Sequence, residues 1–316
     1  MKMIVSLPDQ ENEYQLLQAA DARAVAARLG FDVEVLDAES SPVLQIQQIF
    51  KATRADPAPR AIVVEPFTSD ALLRIARHAL QARIAVAFLN ATVADVAALR
   101  QEAPDVPLLV VSSDQVEIGR VQARQLRALR PAGGHVLYIQ GPDTASASQE
   151  RCAGLREGLA DSALSLTILD GHWTEASAFA AVRSWLRLKL WEATPVDVVA
   201  AQDDSMARGA RRAIETSPEV AAKWAAVQYV GIDGVPDVGQ RMVQEGQLAA
   251  TVVMPSNTGP ALEALHRALR DGQMPPETIC LPTRSYPDER ELARRARSQA
   301  RLARRPSADT APAVHD

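Results

Sequence analysis

The chain has 316 residues, 47% of them hydrophobic and only 4% aromatic, with a net charge of −5 and a pI of about 5.7. That length can bury more than one core, and the mild acidity gives the body of the chain no nucleic-acid footprint. Cys152 and Cys280 stand far apart and the five histidines are scattered, so neither a structural disulfide nor a metal site is expected, and no glycine-rich phosphate loop calls for a cofactor.

The opening apolar residues Met3, Ile4, Val5 and Leu7 fall short of the roughly 7–15 of a secretory signal core, and no stretch reaches the roughly 18 of a membrane span. As written, the sequence reads as a cytoplasmic chain that does not insert into membranes; a start further upstream would make it a periplasmic one.

Short apolar runs alternate with amphipathic stretches, the pattern of an α/β fold. Residues 4–7 read as the first strand, and 13–29 as a helix with Leu16, Leu17, Ala20, Ala24 and Ala27 on its buried face and Gly30 closing it. Strands follow at 33–36, 61–64 and 84–89, and helices at 42–55 and 70–81, the latter capped by Thr68 or Ser69. A fully apolar strand at 108–111 leads to Asp114, a helix cap, and Gly119, which allows a neighbouring helix close. Further on come strands at 135–139 and 165–169 and a helix at 175–191, whose Trp185 and Trp191 are expected to pack in the core. The last body elements are a strand at 248–253, a helix at 257–270 ended by Gly272, and a strand at 279–281 in which Cys280 reads as a small core residue. From Asp288 the character changes to an Arg-rich helical segment over 289–305, with Leu292 and Leu302 as its large apolar residues, then a polar tail; a solvated extension is expected.

The most informative stretch is V-D-V-V-A-A-Q-D-D-S-M-A-R-G-A-R-R-A-I, from Val196 to Ile214, followed by V-Q-Y-V-G-I-D-G-V-P-D from Val227 to Asp237. Each half reads as strand, turn and helix, with a second helix at 236–245, and each carries an acidic residue just past its strand. Open parallel sheets bind ligands at that edge. Asp204 is placed to cap its helix, whereas Asp203 and Asp233 lie nearer the strand ends and are the candidate ligand contacts. No G-x-S-x-G or H-E-x-x-H motif is present, so catalysis is not expected.

This stretch, with G-Q-L-A-A-T-V at 246–252 and S-S-D-Q-V-E-I-G-R-V-Q-A at 112–123, resembles the type I periplasmic binding protein superfamily, in its ribose- and galactose-binding branch, which shares its fold with the LacI-type effector domains. The resemblance implies two similar lobes, each a mainly parallel sheet flanked by helices, joined by a three-segment hinge. It assigns 1–112 plus 256–281 to the N-terminal lobe, 113–255 plus 282–288 to the C-terminal lobe, and 289–316 to a basic extension and tail. It also implies a ligand-binding set: Asn12, Tyr14 and Gln15 from the first loop, Asn90, Gln149, Asp203, Asp233 and Met254. At Asn90 the relatives carry an Asp-Arg pair, at Gln149 an arginine and at Met254 a glutamine, while Arg151 matches an arginine that is mainly structural in the family. A cleft with carboxylates and without arginine forks favours a donor-rich ligand, such as a polyol, an amino sugar or a cationic metabolite. The implied function is that of the substrate-binding component of an ABC-type sugar transporter, with a permease as partner. A second reading stays open: a cytosolic ligand-sensing regulatory domain of LacI-effector type without its DNA-binding part, acting through a regulatory protein.

Overall fold

The computed structural model describes residues 1–91, 94–192 and 195–303. Its strands are β1 (Lys2–Leu7), β2 (Asp32–Asp37), β3 (Ala61–Val64), β4 (Ala85–Leu89), β5 (Leu108–Ser113), β6 (Gly134–Gln140), β7 (Leu164–Asp170), β8 (Val198–Ala201), β9 (Gln228–Asp233), β10 (Ala250–Val253), β11 (Thr278–Leu281) and β12 (Arg284–Tyr286). They form two six-stranded sheets, in the orders β11-β5-β4-β3-β1-β2 and β12-β10-β9-β8-β6-β7. Every pairing is parallel except that of β10 with β12. The second sheet repeats the winding of the first, giving two lobes of like topology.

The residue pattern explains the strand order. Parallel central strands are covered on both faces and need continuous apolar runs, which AIVV in β3, AVAFL in β4 and VVAA in β8 supply, all fully buried. DVEVLD in β2 and LSLTILD in β7 alternate in polarity and sit at sheet edges. Each sheet carries an apolar layer on both faces. A fifth, smaller cluster belongs to neither lobe alone: Tyr14 and Leu17 of the first helix meet Ile118, Val121, Ile232, Val252 and Met254.

The chain passes between lobes three times: from β5 into the helix Gln115–Leu129, from β10 into the helix Thr258–Asp271, and from β11 to β12. Local capping sets these junctions. Asp114 accepts from the Glu117 N–H at 2.9 Å, and Asn12 and Thr68 cap their helices in the same way. The helix Thr258–Asp271 has no cap of its own; the Gln18 Oε1 accepts from the backbone N–H groups of Asn257 and Thr258 at 2.8 and 3.1 Å, so the first helix satisfies the start of the last. At Gly119 a side chain is excluded, since a Cβ would lie 2.1 Å from the Arg151 carbonyl oxygen; the helices Gln115–Leu129 and Ser146–Leu159 touch backbone to backbone.

Several elements depart from the sequence pattern. A helix at Ala94–Glu102 and the strand β12 carry too few residues or too weak a period to be read. The helix expected over 175–191 ends at Arg187, and Trp191 sits on a separate 3-10 turn, Leu190–Glu192, yet both Trp185 and Trp191 are buried in the second lobe as expected. The helix expected over 236–245 is a π-helical turn, Pro236–Gln240, continued by Arg241–Gln244. Cys280 is exposed, because β11 is an edge strand. The segment expected to be solvated is a helix, Glu289–Ala303, docked on the second lobe: Leu292 is buried among Leu126, Leu155 and Val230, and Arg124 Nε donates to Glu289 at 3.2 Å. The expected tail beyond it, 304–316, lies outside the described residues. Among the described residues no helix is long and apolar enough to cross a membrane.

Docking through one large side chain is testable. Leu292→Ala should lower unfolding stability by about 2–4 kcal/mol, the cost of emptying a buried leucine site, measured by urea denaturation. A loss below about 0.5 kcal/mol, as at a surface position, would show that the helix is not packed in solution.

Candidate functional site

Because both sheets are parallel, the C-terminal ends of β1, β3 and β4 in one lobe face those of β6, β7, β8 and β9 in the other. The loops leaving these strands enclose a cleft of about 690 Å³. Backbone strain concentrates there: among the described residues seven non-glycine positions have positive φ, and four of them, Ser40, Asn90, Trp173 and Asp233, line the cleft. Such conformations persist where the surroundings enforce them, and they cluster at binding sites.

The N-lobe wall is centred on Glu65, the residue after β3. Its Oε1 accepts from Asn90 Nδ2 at 3.0 Å and its Oε2 from Gln15 Nε2 at 3.1 Å. Burial raises the Glu65 carboxyl above its ordinary range, opposed by these amides. Asn90 is itself held, its Oδ1 accepting from Gln115 Nε2 at 3.2 Å and from Asn257 Nδ2 at 2.6 Å. Tyr14 packs its ring in the inter-lobe cluster and donates its hydroxyl to the Pro255 carbonyl at 3.0 Å.

The C-lobe wall holds three carboxylates at the ends of β8 and β9. Asp203, not Asp204, caps the helix Asp204–Glu215: its Oδ1 accepts from the Met206 N–H at 2.5 Å, while Oδ2 is buried with no hydrogen-bond partner among the described residues. Asp204 points away from the cleft, accepting from Thr251 Oγ1 at 2.8 Å and from the Gly234 N–H at 2.9 Å. That seat requires Gly231 and Gly239, where a Cβ would fall within 2.0 and 1.9 Å of the carboxylate. Asp233, at φ 102°, lines the cleft and has no side-chain hydrogen bond among the described residues. Burial pushes Asp203 up to about 7 and Asp204 up to about 8; Asp233 is raised well above its ordinary value by burial and then by Asp203 and Asp204.

Arg151 faces this group but pairs with none of it. Its Nε donates to Gln115 Oε1 at 2.8 Å, Nη1 to the Gln202 carbonyl at 2.6 Å and Nη2 to Met254 Sδ at 3.2 Å, and its guanidinium lies 5.4 Å from the centre of the Trp173 ring. No carboxylate among the described residues comes within ion-pair distance of it. The lobes also touch at the mouth: Asn12 Nδ2 donates to the Trp173 carbonyl at 3.1 Å, and Glu13 accepts from Arg208 Nη2 at 2.7 Å and from the Ser205 hydroxyl.

Of the residues expected from sequence, Asn12, Tyr14, Gln15, Asn90, Asp203 and Asp233 come together in the cleft. Gln149 does not: it is exposed on the outer side of its helix, with Nε2 on the Asp143 carbonyl at 2.5 Å. Met254 does not line it either, being buried behind Arg151 as an acceptor of that side chain. Glu65, Arg151 and Trp173 were not in the expected set. Glu65 occupies the position that strand-end logic singles out, immediately after a buried apolar strand, and stands as a carboxylate beside Asn90, where the family resemblance implies an Asp-Arg pair.

A carboxyl whose native value is raised keeps protons that the unfolded chain has released, so stability falls as pH climbs from the unfolded value toward the native one. Asp203 and Asp204 put this loss below about pH 8 and above the ordinary carboxylate range. The ligand-free protein should therefore melt at a lower temperature at about pH 8 than at about pH 5.5. Asp204→Asn, which can still accept from Gly234 and donate to Thr251, should flatten that slope; an unaltered slope in calorimetry would assign it to other groups.

The family model described as a periplasmic binding protein domain matches residues 3–270. The ribose import binding protein RbsB of Salmonella typhimurium is 29% identical over 239 residues, which cover 75% of this chain and 74% of that protein. The galactofuranose-binding protein YtfQ of Escherichia coli is 24% identical over 285 residues, 88% of this chain and 85% of that protein. Among solved structures, the periplasmic binding protein component of the arabinose ABC transporter from Shewanella sp. ANA-3, bound to α- and β-L-arabinofuranose, matches with a TM-score of 0.77 at 20% identity, covering 98% of this chain and all of that one. The Caulobacter myo-inositol binding protein, bound to myo-inositol, matches at 24% identity with a TM-score of 0.76, covering 90% and 92%. With the family model spanning β1 to β10 and the first two crossings between the lobes, the chain belongs to the type I periplasmic binding protein superfamily.

Proposed function

We propose that the protein captures a small polyhydroxylated solute of the sugar class between its lobes and hands it to an ABC-type permease, without transforming it. The observation that carries this reading is the cleft itself: a space of about 690 Å³ at the strand ends, with carboxylates on both walls and the Trp173 and Phe67 rings among its lining. Carboxylates accept two or more hydroxyl donors each, and aromatic faces cover the C–H surface of a sugar ring. Relatives named for ribose import and galactofuranose binding support the same class. The lobes already meet across the mouth, Asn12 with Trp173 and Glu13 with Arg208, and a hinge motion about the three crossings that broke these bonds would admit the solute. A role in import places the working protein on the periplasmic side of the membrane.

A thermal-shift series with pentoses, hexoses, furanose-prone sugars and cyclitols tests the reading. A bound solute at about 100 times its Kd should add about 2.7 kcal/mol of stability, a shift of a few degrees in a chain of this size. No shift with any of them, from a folded protein, would refute sugar capture. For the solute that binds, Asp233→Ala should weaken affinity by about 2–4 kcal/mol while leaving the ligand-free protein no less stable, because the residue makes no internal bond and is repelled by its neighbours. Unchanged affinity in calorimetric titration would remove Asp233 from the site.

A further inference from the structure

The cleft is lined by six carboxylates, Asp9, Glu65, Asp143, Asp170, Asp203 and Asp233, and a single guanidinium, that of Arg151. Four of the acids lie at the rim or are already served: Asp143 and Asp170 are exposed, Asp9 accepts from the Glu11 and Asn12 N–H groups of its own loop, and both oxygens of Glu65 accept amide donors. The remaining pair is different. Asp203 is 2% exposed with Oδ2 unpartnered, and Asp233 is 6% exposed with no bond to its carboxylate among the described residues. One cation acts on both of them without pairing: the Arg151 guanidinium favours their charged forms, so two acids face a single positive charge. Arg151 spends three donors on Gln115, Gln202 and Met254, and Arg208 is held between Glu13 at 2.7 Å and Glu175 at 2.6 Å.

A neutral polyol could satisfy the lone pairs of Asp203 and Asp233, but with both ionised and Arg151 as the one cation facing them, it would leave one buried negative charge unmatched, a costly arrangement. We infer that the solute carries a protonated amine on its hydroxylated frame, seated between Asp203 and Asp233. A primary ammonium offers three N–H donors and one positive charge, which matches two carboxylates that outnumber the one guanidinium acting on them. The inference rests on the solute-capture reading and narrows it to amino sugars and amino polyols.

Calorimetric titration of the full chain at neutral pH against matched pairs tests it: D-galactose and D-galactosamine, D-glucose and D-glucosamine, sorbitol and 1-amino-1-deoxysorbitol, with the N-acetylated sugars as uncharged controls of similar shape. The amine of at least one pair should bind about tenfold or more tightly than its neutral and acetylated counterparts. Asp203→Asn, which keeps a good helix cap, and Asp233→Asn should each erase most of that advantage while changing the neutral partner's affinity less. A neutral member binding more tightly than its amine overturns the inference and leaves sugar capture standing. An advantage untouched by both variants overturns the assigned seat; binding by no member of any pair overturns the inference, and the wider thermal-shift series decides sugar capture separately.

Discussion

The two walls of the cleft are joined by one hydrogen-bonded chain, and its middle link is Gln115, the first residue of the helix that follows the first crossing. Its Oε1 accepts from Arg151 Nε in one lobe, and its Nε2 donates to Asn90 Oδ1 in the other, where Asn90 Nδ2 in turn holds Glu65. A guanidinium and a carboxylate facing each other across a cleft would ordinarily be free to pair; here each is fixed by amides, so both keep their orientation while leaving the space between them open. The backbone contact at Gly119 makes this possible by bringing Arg151 within reach of the crossing helix. The same crossing therefore serves as covalent link, packing surface and anchor for polar groups on both sides.

Against this held frame, the strand ends of the second lobe carry unrelieved charge. Asp204 is absorbed into the fold by Thr251 and the Gly234 amide, and two glycines make room for it. Asp203 spends one oxygen on its helix and Asp233 spends none. Burial and mutual repulsion make the ionised forms unfavourable in the empty protein, and Asp233 is also held at a backbone conformation that a side chain seldom adopts. Such a site gives up stability in its empty state, and the counterpart of that loss is strong attraction for whatever supplies donors and positive charge. The contacts at the mouth, where Glu13 meets Ser205 and Arg208, use charges already balanced within the protein and so favour closure without dictating what is enclosed.

The polar groups that the sugar-binding relatives would place at positions 90 and 149 are not simply absent from the cleft. Asn90 has become a brace for Glu65, which enters from the adjacent strand, and the guanidinium facing the cleft comes from Arg151, two residues beyond Gln149 and one helical face away. The polar groups facing the cleft are thus supplied by neighbouring strand ends and helix positions of one scaffold, and a single fold can present different chemistry in this way.

Much of this molecule was legible in the residues alone. Runs such as AIVV and AVAFL can only be strands covered on both faces, Gly30 and Gly272 stop helices because they alone reach the left-handed turn without cost, and acids after β8 and β9 mark the ligand edge of a parallel sheet. These are local matters, decided by side-chain shape and backbone freedom within a few residues. What tertiary structure alone decided was which of two adjacent acids would cap a helix and which would be sealed beneath it, whether Gln149 or Arg151 would face the cleft, and that Glu65 would stand beside Asn90. Each depends on distances between segments far apart in the chain, Asp204 to Thr251, Arg151 to Gln115, Asn90 to Asn257, and a linear sequence carries no record of such distances until the lobes have formed.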